Sequence, residues 1–384
     1  MAELPKKLIQ KLEKRRSEDA LRHLPESLEL VDFSSNDYLG FAQNEDLTRA
    51  TTDLTSIPIN TDGSTGSRLL TGNHILYAQL EQKLADFHGT PSALVFNSGY
   101  DANIGFFSSV PQRGDIVFYD ELVHASIRDG LQMGKANTYK FAHNNLEQLK
   151  EKTRLLRART KSDNQTVYVV TESVFSMDGD SPNLGGLADF CSVNGFHLVV
   201  DEAHAVGIFG NGKGLLNQLG LENEVFARII TFGKAFGRHG AAILAGNRLK
   251  EYLINFARSL IYTTALPPHS IAAILASYAQ METSGKTHRK KLLENIRHFN
   301  DEIMALELIE VFIPSDSAIQ CAVISENQKV KEISGQLQQS GFNVKPILSP
   351  TVKKGDERLR FCLHSYNTNE EISRVLLLLK NLLT

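Results

Sequence analysis

Two short β-branched runs constrain this chain more than any other feature. Phe196-His197-Leu198-Val199-Val200 runs into Asp201-Glu202-Ala203-His204, and about thirty residues on Arg228-Ile229-Ile230-Thr231-Phe232 runs into Gly233-Lys234. Runs that are apolar throughout, rather than alternating, suit parallel strands buried on both faces. Similar runs recur at Ala93–Phe96, Ile116–Tyr119, Thr138–Phe141, Val167–Thr171 and Ala241–Ala245, with the two above read as His197–Asp201 and Ile229–Phe232. Helical segments begin between them near Asn73, Asp101, His124, Asn145 and Gly185. Such alternation predicts an α/β fold: a mostly parallel sheet with helices on both faces. Ligands in such sheets sit at the strand ends. The acid, the histidine and the lysine are therefore expected in one crevice.

The flanks read differently. Pro5 to Leu24 is expected to be helical, with Leu8, Leu12 and Leu21 amid charges, followed by a strand from Leu28 to Phe33 and a polar turn from Ser34 to Gly40. After Pro267-Pro268 comes a long helical region to about residue 306. The tail is α+β: strand Ala318–Ile324, a helix to Gly341, strands Phe342–Pro346 and Arg358–Leu363, and a last helix from Asn369. We expect a large central domain at 45–280 and a smaller one built from 1–44 and 281–384. At 384 residues the chain is long enough for both. A net charge of −3 gives no reason to expect nucleic acid or an anionic membrane as partner. No run approaches the ~18 apolar residues of a membrane span, and the start, Met1 to Lys7, lacks a signal-peptide core. Cys191, Cys321 and Cys362 are widely spaced and odd in number, without metal-ligand spacing. A cytoplasmic protein is expected.

Several motifs have competing readings. Asp201-Glu202-Ala203-His204 also spells the acidic box of a DEAH-type ATPase, and Gly207 to Lys213 resembles part of a phosphate loop. That loop needs Ser or Thr directly after its lysine, where this chain has Gly214, and it should precede the acidic box. Ser98-Gly99-Tyr100 follows a strand and opens a helix, which suits either a plain turn or a phosphate cradle. His124, after another strand, is either a structural histidine or a site residue. The carboxylates Glu172, Asp178 and Asp180 fit a polar loop better than a metal site. Arg360, in an alternating strand, is either a carboxylate clamp or a solvated edge.

A lysine beside a carboxylate at strand ends is what pyridoxal phosphate chemistry requires: an amine for the Schiff base and an anion to keep the pyridine nitrogen protonated. Eight segments in order add to this: Ser34–Gly40, Gly63–Arg68, Ser98–Tyr100, His124–Ser126, Phe175–Gly179, Asp201–His204, Thr231–Lys234 and Arg358–Arg360. Together they resemble the α-oxoamine synthases, pyridoxal-phosphate enzymes with an aspartate-aminotransferase-like fold (fold type I). Arg15–Arg22, Asn255–Thr264 and the compact length are similar to the branch of that family that serves biotin synthesis.

The resemblance implies a role for each matching position. Lys234 is implied as the Schiff-base lysine and proton shuttle, Asp201 as partner of the pyridine nitrogen, His204 of the ring hydroxyl, and His124 as the group stacked on the ring. Gly99 and Tyr100 are implied as phosphate contacts, with Ser176 and Thr231 as further cofactor contacts. Thr263 or Thr264 would reach the phosphate in a partner subunit, which implies a homodimer with shared sites. Arg22, Asn36, His124 and Thr351 are implied as substrate contacts, and Arg360 as the reader of the amino-acid carboxylate. No metal is implied. The implied reaction is decarboxylative condensation of L-alanine with a pimeloyl thioester, carried by coenzyme A or acyl-carrier protein. Glycine C-acetyltransferase and serine palmitoyltransferase are the sibling readings. The sequence departs from many relatives at Ser349, where they have proline, and at Arg238-His239, where they have small residues.

Overall fold

The computed structural model describes residues 4–24, 29–55, 62–159 and 165–383. The chain divides into two compact units, one of residues 36–176 and 181–290, the other of residues up to 35, 177–180 and from 291 onward.

The larger unit is built on a seven-stranded sheet. In spatial order its strands are Ser92–Phe96, Ala241–Ala245, Ala227–Thr231, His197–Asp201, Val167–Glu172, Ile116–Asp120 and Asn137–Phe141. Only Ala241–Ala245 runs against its neighbours; the pairings among the five strands from Ala227–Thr231 to Asn137–Phe141 are parallel. The period-2 geometry of a strand sends alternate side chains to opposite faces. Val117, Tyr168, Val170, Val199, Ile229 and Ile243 share one cluster with Phe106, Ile127 and Leu253. Ile116, Phe118, Val169, Leu198 and Val200 share another with Leu149, Leu184, Leu187 and Leu216. Both faces are covered by helices, so neither phase of the inner strands is free to be polar, whereas the edge strand Asn137–Phe141 is exposed at all but Phe141. The expected strands all form, with ends within one or two residues of those read from the sequence.

The antiparallel strand matters for the site. Thr231 pairs with Ala241, so residues 232–240 form a hairpin loop, closed by Phe232 N–H to Gly240 O at 2.9 Å and Arg238 N–H to Phe232 O at 2.7 Å. Lys234 sits on this loop. The remaining strands deliver their carboxyl ends to the same edge, leading into Gly99, His124, Ser176 and His204.

The smaller unit contains a three-stranded antiparallel sheet in the order Lys345–Ile347, Arg358–Cys362, Ile319–Val323, and a parallel pair of Val31–Asp32 with Phe342–Asn343. Three expectations change here. The first helix spans Lys6–Ser17, not Pro5–Leu24; it closes through Glu18 and Asp19, the latter at φ 52°. The first strand is only Val31–Asp32, and Leu28 lies outside the described residues. Phe342–Pro346 is not one strand: Phe342 and Asn343 pair with Val31 and Asp32, whereas Lys345–Ile347 pairs with Arg358–Arg360. In the larger unit the long helical region follows Pro267-Pro268 as expected, with Pro267 as N-cap and Pro268 as first residue of the helix Pro268–Thr283.

Candidate active site

At the carboxyl edge of the large sheet lies a cavity of about 160 Å³. Eight residues singled out from the sequence line it: Gly99, Tyr100, His124, Ser176, Asp201, His204, Thr231 and Lys234. Asn103, Ser126, Glu172 and Ala203 line it too. Pockets for drug-sized ligands run to about 300–1,000 Å³. This one suits a single ring with its substituents rather than a nucleotide triphosphate.

Asp201 ends its strand buried, with both oxygens fixed. Oδ1 accepts from Ala203 N–H at 2.9 Å, and Oδ2 accepts from Asn103 Nδ2 at 2.9 Å. Asn103 projects from the helix Gly99–Ser109, whose N-cap Ser98 accepts from Asp101 N–H at 3.0 Å. Its other bond runs from Nδ2 to Ser126 Oγ at 3.0 Å, while its Oδ1 is buried with no protein partner. His124 caps the helix Ala125–Met133 and stands with Nδ1 2.7 Å from Ser126 Oγ. Burial pushes the His124 imidazole below its ordinary value; Asp201 opposes this and Lys234 adds to it. Tyr38 Oη lies 2.7 Å from His204 Nδ1 and donates to Asn36 Oδ1 at 3.1 Å. Thr231 Oγ1 donates to Gly240 O and accepts from Gly233 N–H, bracing the lysine loop.

Glu172 is not the polar-loop residue expected from the sequence. It is buried at the end of its strand, accepts from His124 N–H at 2.5 Å, and is paired in register with Asp201. Burial, and then the Asp201 charge, holds its carboxyl well above the usual carboxylate range. Asp178 does lie in the turn after that strand, where it forms a buried ion pair with Arg358, which also donates to Met177 O at 3.0 Å.

The other sequence candidates sit elsewhere. Thr263 and Thr264 do not line the cavity; Asn97 Nδ2 donates to Thr263 Oγ1 at 3.1 Å and to Thr264 O at 2.7 Å. Asn97 immediately precedes the Ser98-Gly99 turn, so the two segments are tied together. Arg22, Thr351 and Arg360 belong to the smaller unit. Arg22 Nη2 donates to Thr351 Oγ1 at 3.2 Å in an exposed setting. Arg360 lies on the central strand of its sheet, buried at 8% exposure beside Cys362, so the solvated-edge reading is excluded. A wider cavity of about 1420 Å³ within that unit, between the first helix and residues 325–327 and 349–357, contains none of the expected chemistry.

The acidic-box reading fails on geometry. Glu202 is fully buried; its Oε1 accepts from Leu216 N–H at 3.0 Å and its Oε2 accepts from Arg228 Nε at 2.7 Å. The glycine-rich stretch is a 3₁₀ turn at Gly210–Gly212, and the following Lys213 carbonyl accepts from Arg228. These groups brace the core. Among the described residues no three His, Cys, Asp or Glu side chains are grouped to hold a metal.

The residues missed by sequence reading are Tyr38, Asn103, Ser126 and Glu172. Asn103 has one local signal: it lies four residues after Gly99, on the same helix face.

The aminotransferase class I and II family matches residues 29–376. An 8-amino-7-oxononanoate synthase of Emericella nidulans is 39% identical, with 98% of this chain and 96% of that protein covered. One of Saccharophagus degradans is 38% identical over 91% of this chain and 86% of that protein. Among solved structures, a serine palmitoyltransferase from S. paucimobilis with bound PLP gives a TM-score of 0.87 at 27% identity, covering 98% and 96% of the two chains. The 8-amino-7-oxononanoate synthase of Francisella tularensis gives 0.76 at 29% identity, covering 92% and 97%.

Proposed function

The chain belongs to the aminotransferase class I and II family, and from that premise we propose that it condenses L-alanine with a pimeloyl thioester. The products are 8-amino-7-oxononanoate, carbon dioxide and the free thiol carrier, a step of biotin synthesis. The cofactor is pyridoxal 5'-phosphate. The observation that carries this reading is the convergence of Lys234, Asp201, His204 and His124 on one small cavity, in a chain 39% identical to a named synthase over nearly its whole length.

The residues fit the cofactor. The cavity offers an amine, a carboxylate pinned by two donors, a helix N-terminus beside Gly99 for a phosphate, and the unpartnered Asn103 Oδ1. When bound, the cofactor supplies an electron sink for charge developing at the amino-acid α-carbon. Asp201 presents a fixed anion that holds a proton on the ring nitrogen. Lys234 Nζ would hold the cofactor and would serve as the proton acceptor at the alanine α-carbon. His204, held by Tyr38, would meet the ring hydroxyl, and His124 would cover the ring. Ser176 and Thr231 would complete the cofactor contacts. Arg22, Asn36 and Thr351 are assigned to the acyl donor side and Arg360 to the alanine carboxylate.

Two similarities point in different directions. The backbone likeness is greater to serine palmitoyltransferase, whereas sequence identity is greater to the synthases. We give the identity more weight, because a family shares its backbone while side chains choose the substrate. The working form proposed is a cytoplasmic homodimer, in which Thr263 or Thr264 reaches the neighbouring site. No helix among the described residues is long and apolar enough to cross a membrane. The deciding assay pairs alanine, glycine and serine with pimeloyl, acetyl and palmitoyl thioesters. A preference for alanine with pimeloyl supports the proposal; glycine with acetyl, or serine with palmitoyl, overturns it in favour of a sibling.

A further inference from the structure

We infer that Asn103 and Ser126 form a relay that fixes His124 as its Nε2–H tautomer, so that His124 serves this site as a hydrogen-bond donor and not as a proton acceptor. The donor and acceptor roles follow from three contacts. Ser126 N–H lies 3.2 Å from His124 Nδ1. A backbone N–H only donates, so Nδ1 carries no proton. Asn103 Nδ2 donates to Asp201 Oδ2, a carboxylate oxygen, and this fixes which end of the amide faces inward. The second hydrogen of the same nitrogen goes to Ser126 Oγ at 3.0 Å. Ser126 Oγ therefore accepts from Asn103 and gives its own proton to His124 Nδ1 at 2.7 Å.

Nδ1 thus receives two donors, and the ring proton of a neutral imidazole has only Nε2 left. A proton added to Nδ1 must first displace the Ser126 hydroxyl. Asn103 and Ser126 are both buried, at 2% and 0% exposure, so water is no ready substitute. Burial favours the neutral ring. Of the charged groups facing it, Lys234 and Arg128 act in the same sense and Asp201 and Asp129 against it; the Glu172 carboxyl binds the His124 backbone. A plain helix cap accounts for the Ser126–His124 contact alone. It does not account for Asn103, which comes from a different helix and holds Asp201 with the same nitrogen. One amide therefore sets both the carboxylate and the imidazole, and it takes His124 out of the cavity's proton acceptors.

The relay rests on the geometry of the site; only its bearing on the condensation rests on the proposed function. The test uses the full-length chain labelled with ¹⁵N-histidine, with and without pyridoxal phosphate, and His124→Gln to assign the signals. In the unsubstituted protein His124 is expected to show a single Nε2–H tautomer from pH 6 to pH 8. Ser126→Ala and Asn103→Leu each weaken or remove the hydroxyl's donation to Nδ1 and are expected to shift the Nδ1 signal and to move the ring titration upward, while the residue-126 backbone N–H keeps the Nε2–H tautomer. Ser126→Thr, which keeps the hydroxyl, is expected to preserve the wild-type shift and titration. Should Asn103→Leu fail to fold, the Ala and Thr substitutions at Ser126 carry the test. An Nδ1–H tautomer or an imidazolium at pH 7 in the unsubstituted protein overturns the relay. So do unchanged ¹⁵N shifts in Ser126→Ala. A fixed tautomer in a chain without alanine–pimeloyl activity leaves the relay standing and removes the proposed function.

Discussion

Glu172 and Asp201 oppose each other in register at the ends of neighbouring parallel strands, and this neighbour raises the proton affinity of Glu172. Asp201 accepts from Asn103 and from a backbone N–H. Glu172 is buried, and burial first and the Asp201 charge second hold its carboxyl well above the usual range.

This arrangement makes Glu172→Gln a test of charge rather than shape. In the unfolded chain Glu172 releases its proton near its ordinary value of 4.5, while the folded protein keeps it to higher pH. Wherever the folded state binds the extra proton, stability falls as pH rises. The full contribution is present below 4.5 and is lost as pH climbs through the raised value. Glutamine mimics the protonated acid and accepts equally from His124 N–H. The melting temperature of Glu172→Gln relative to wild type is expected to rise from pH 4.5 towards pH 8, with little change in cofactor binding. A difference that stays flat across that range, measured by differential scanning fluorimetry, means that Glu172 is ionised in the folded protein.

Asp201→Asn removes the charge and half of the hydrogen bonding. An amide has one oxygen for the two donors, Asn103 Nδ2 and Ala203 N–H, so one of them is left facing an NH₂ group. An unsatisfied buried donor costs about 1–3 kcal/mol, and loss of one preorganised electrostatic group costs roughly 10²–10³ in kcat. The variant is expected to bind the cofactor, melt lower than wild type and turn over slowly. Turnover near the wild-type rate in a steady-state assay removes Asp201 as the partner of the ring nitrogen.

Lys234→Ala is expected to abolish activity and the visible absorbance of bound cofactor while leaving stability within about 0.5 kcal/mol. The hairpin loop that carries Lys234 is held by backbone bonds, including Gly237 N–H to Lys234 O at 2.9 Å, and these survive truncation of the side chain. Borohydride reduction followed by peptide mapping should label Lys234 in the wild-type protein. A label on a different lysine moves the site.

The central sheet was legible because its inner strands are buried on both faces and must be apolar in both phases, as at Val167–Val170 and His197–Val200. The lysine, acid and histidines were legible because they follow those strands directly. Residues that act across the fold were not. Asn103 and Ser126 come from different helices, Tyr38 is far from His204 in sequence, and Glu172 shows its burial only when its neighbours are in place. The division of Phe342–Pro346 between two sheets depends on partners at Val31 and Arg358, which no local pattern announces. The first helix looked longer because no glycine or proline breaks the sequence between Lys6 and Leu24, although the chain turns at Asp19.

Arg22 gives the test that separates acyl donors. Its sequence setting, a helix rich in charge, allowed a half-buried guanidinium gripping a carboxylate, worth about 1.5–3 kcal/mol per charge-assisted bond. The structure places Arg22 beyond the end of the helix Lys6–Ser17, exposed, with Nη2 on Thr351 Oγ1. An exposed ion pair contributes only about 0.2–1 kcal/mol, and at 1.4 kcal/mol per decade this is at most about a fivefold effect. Arg22→Ala is therefore expected to raise KM for the pimeloyl thioester about two- to fivefold, leaving alanine KM and the cofactor spectrum unchanged. Thr351→Val should reproduce a smaller part of the rise, because it removes the hydroxyl that orients the guanidinium. An acetyl thioester, which ends in a methyl group, should show no change in either variant. Equal effects on pimeloyl and acetyl donors mean that Arg22 reads something other than the far carboxylate, and the assignment of the acyl chain then fails with it.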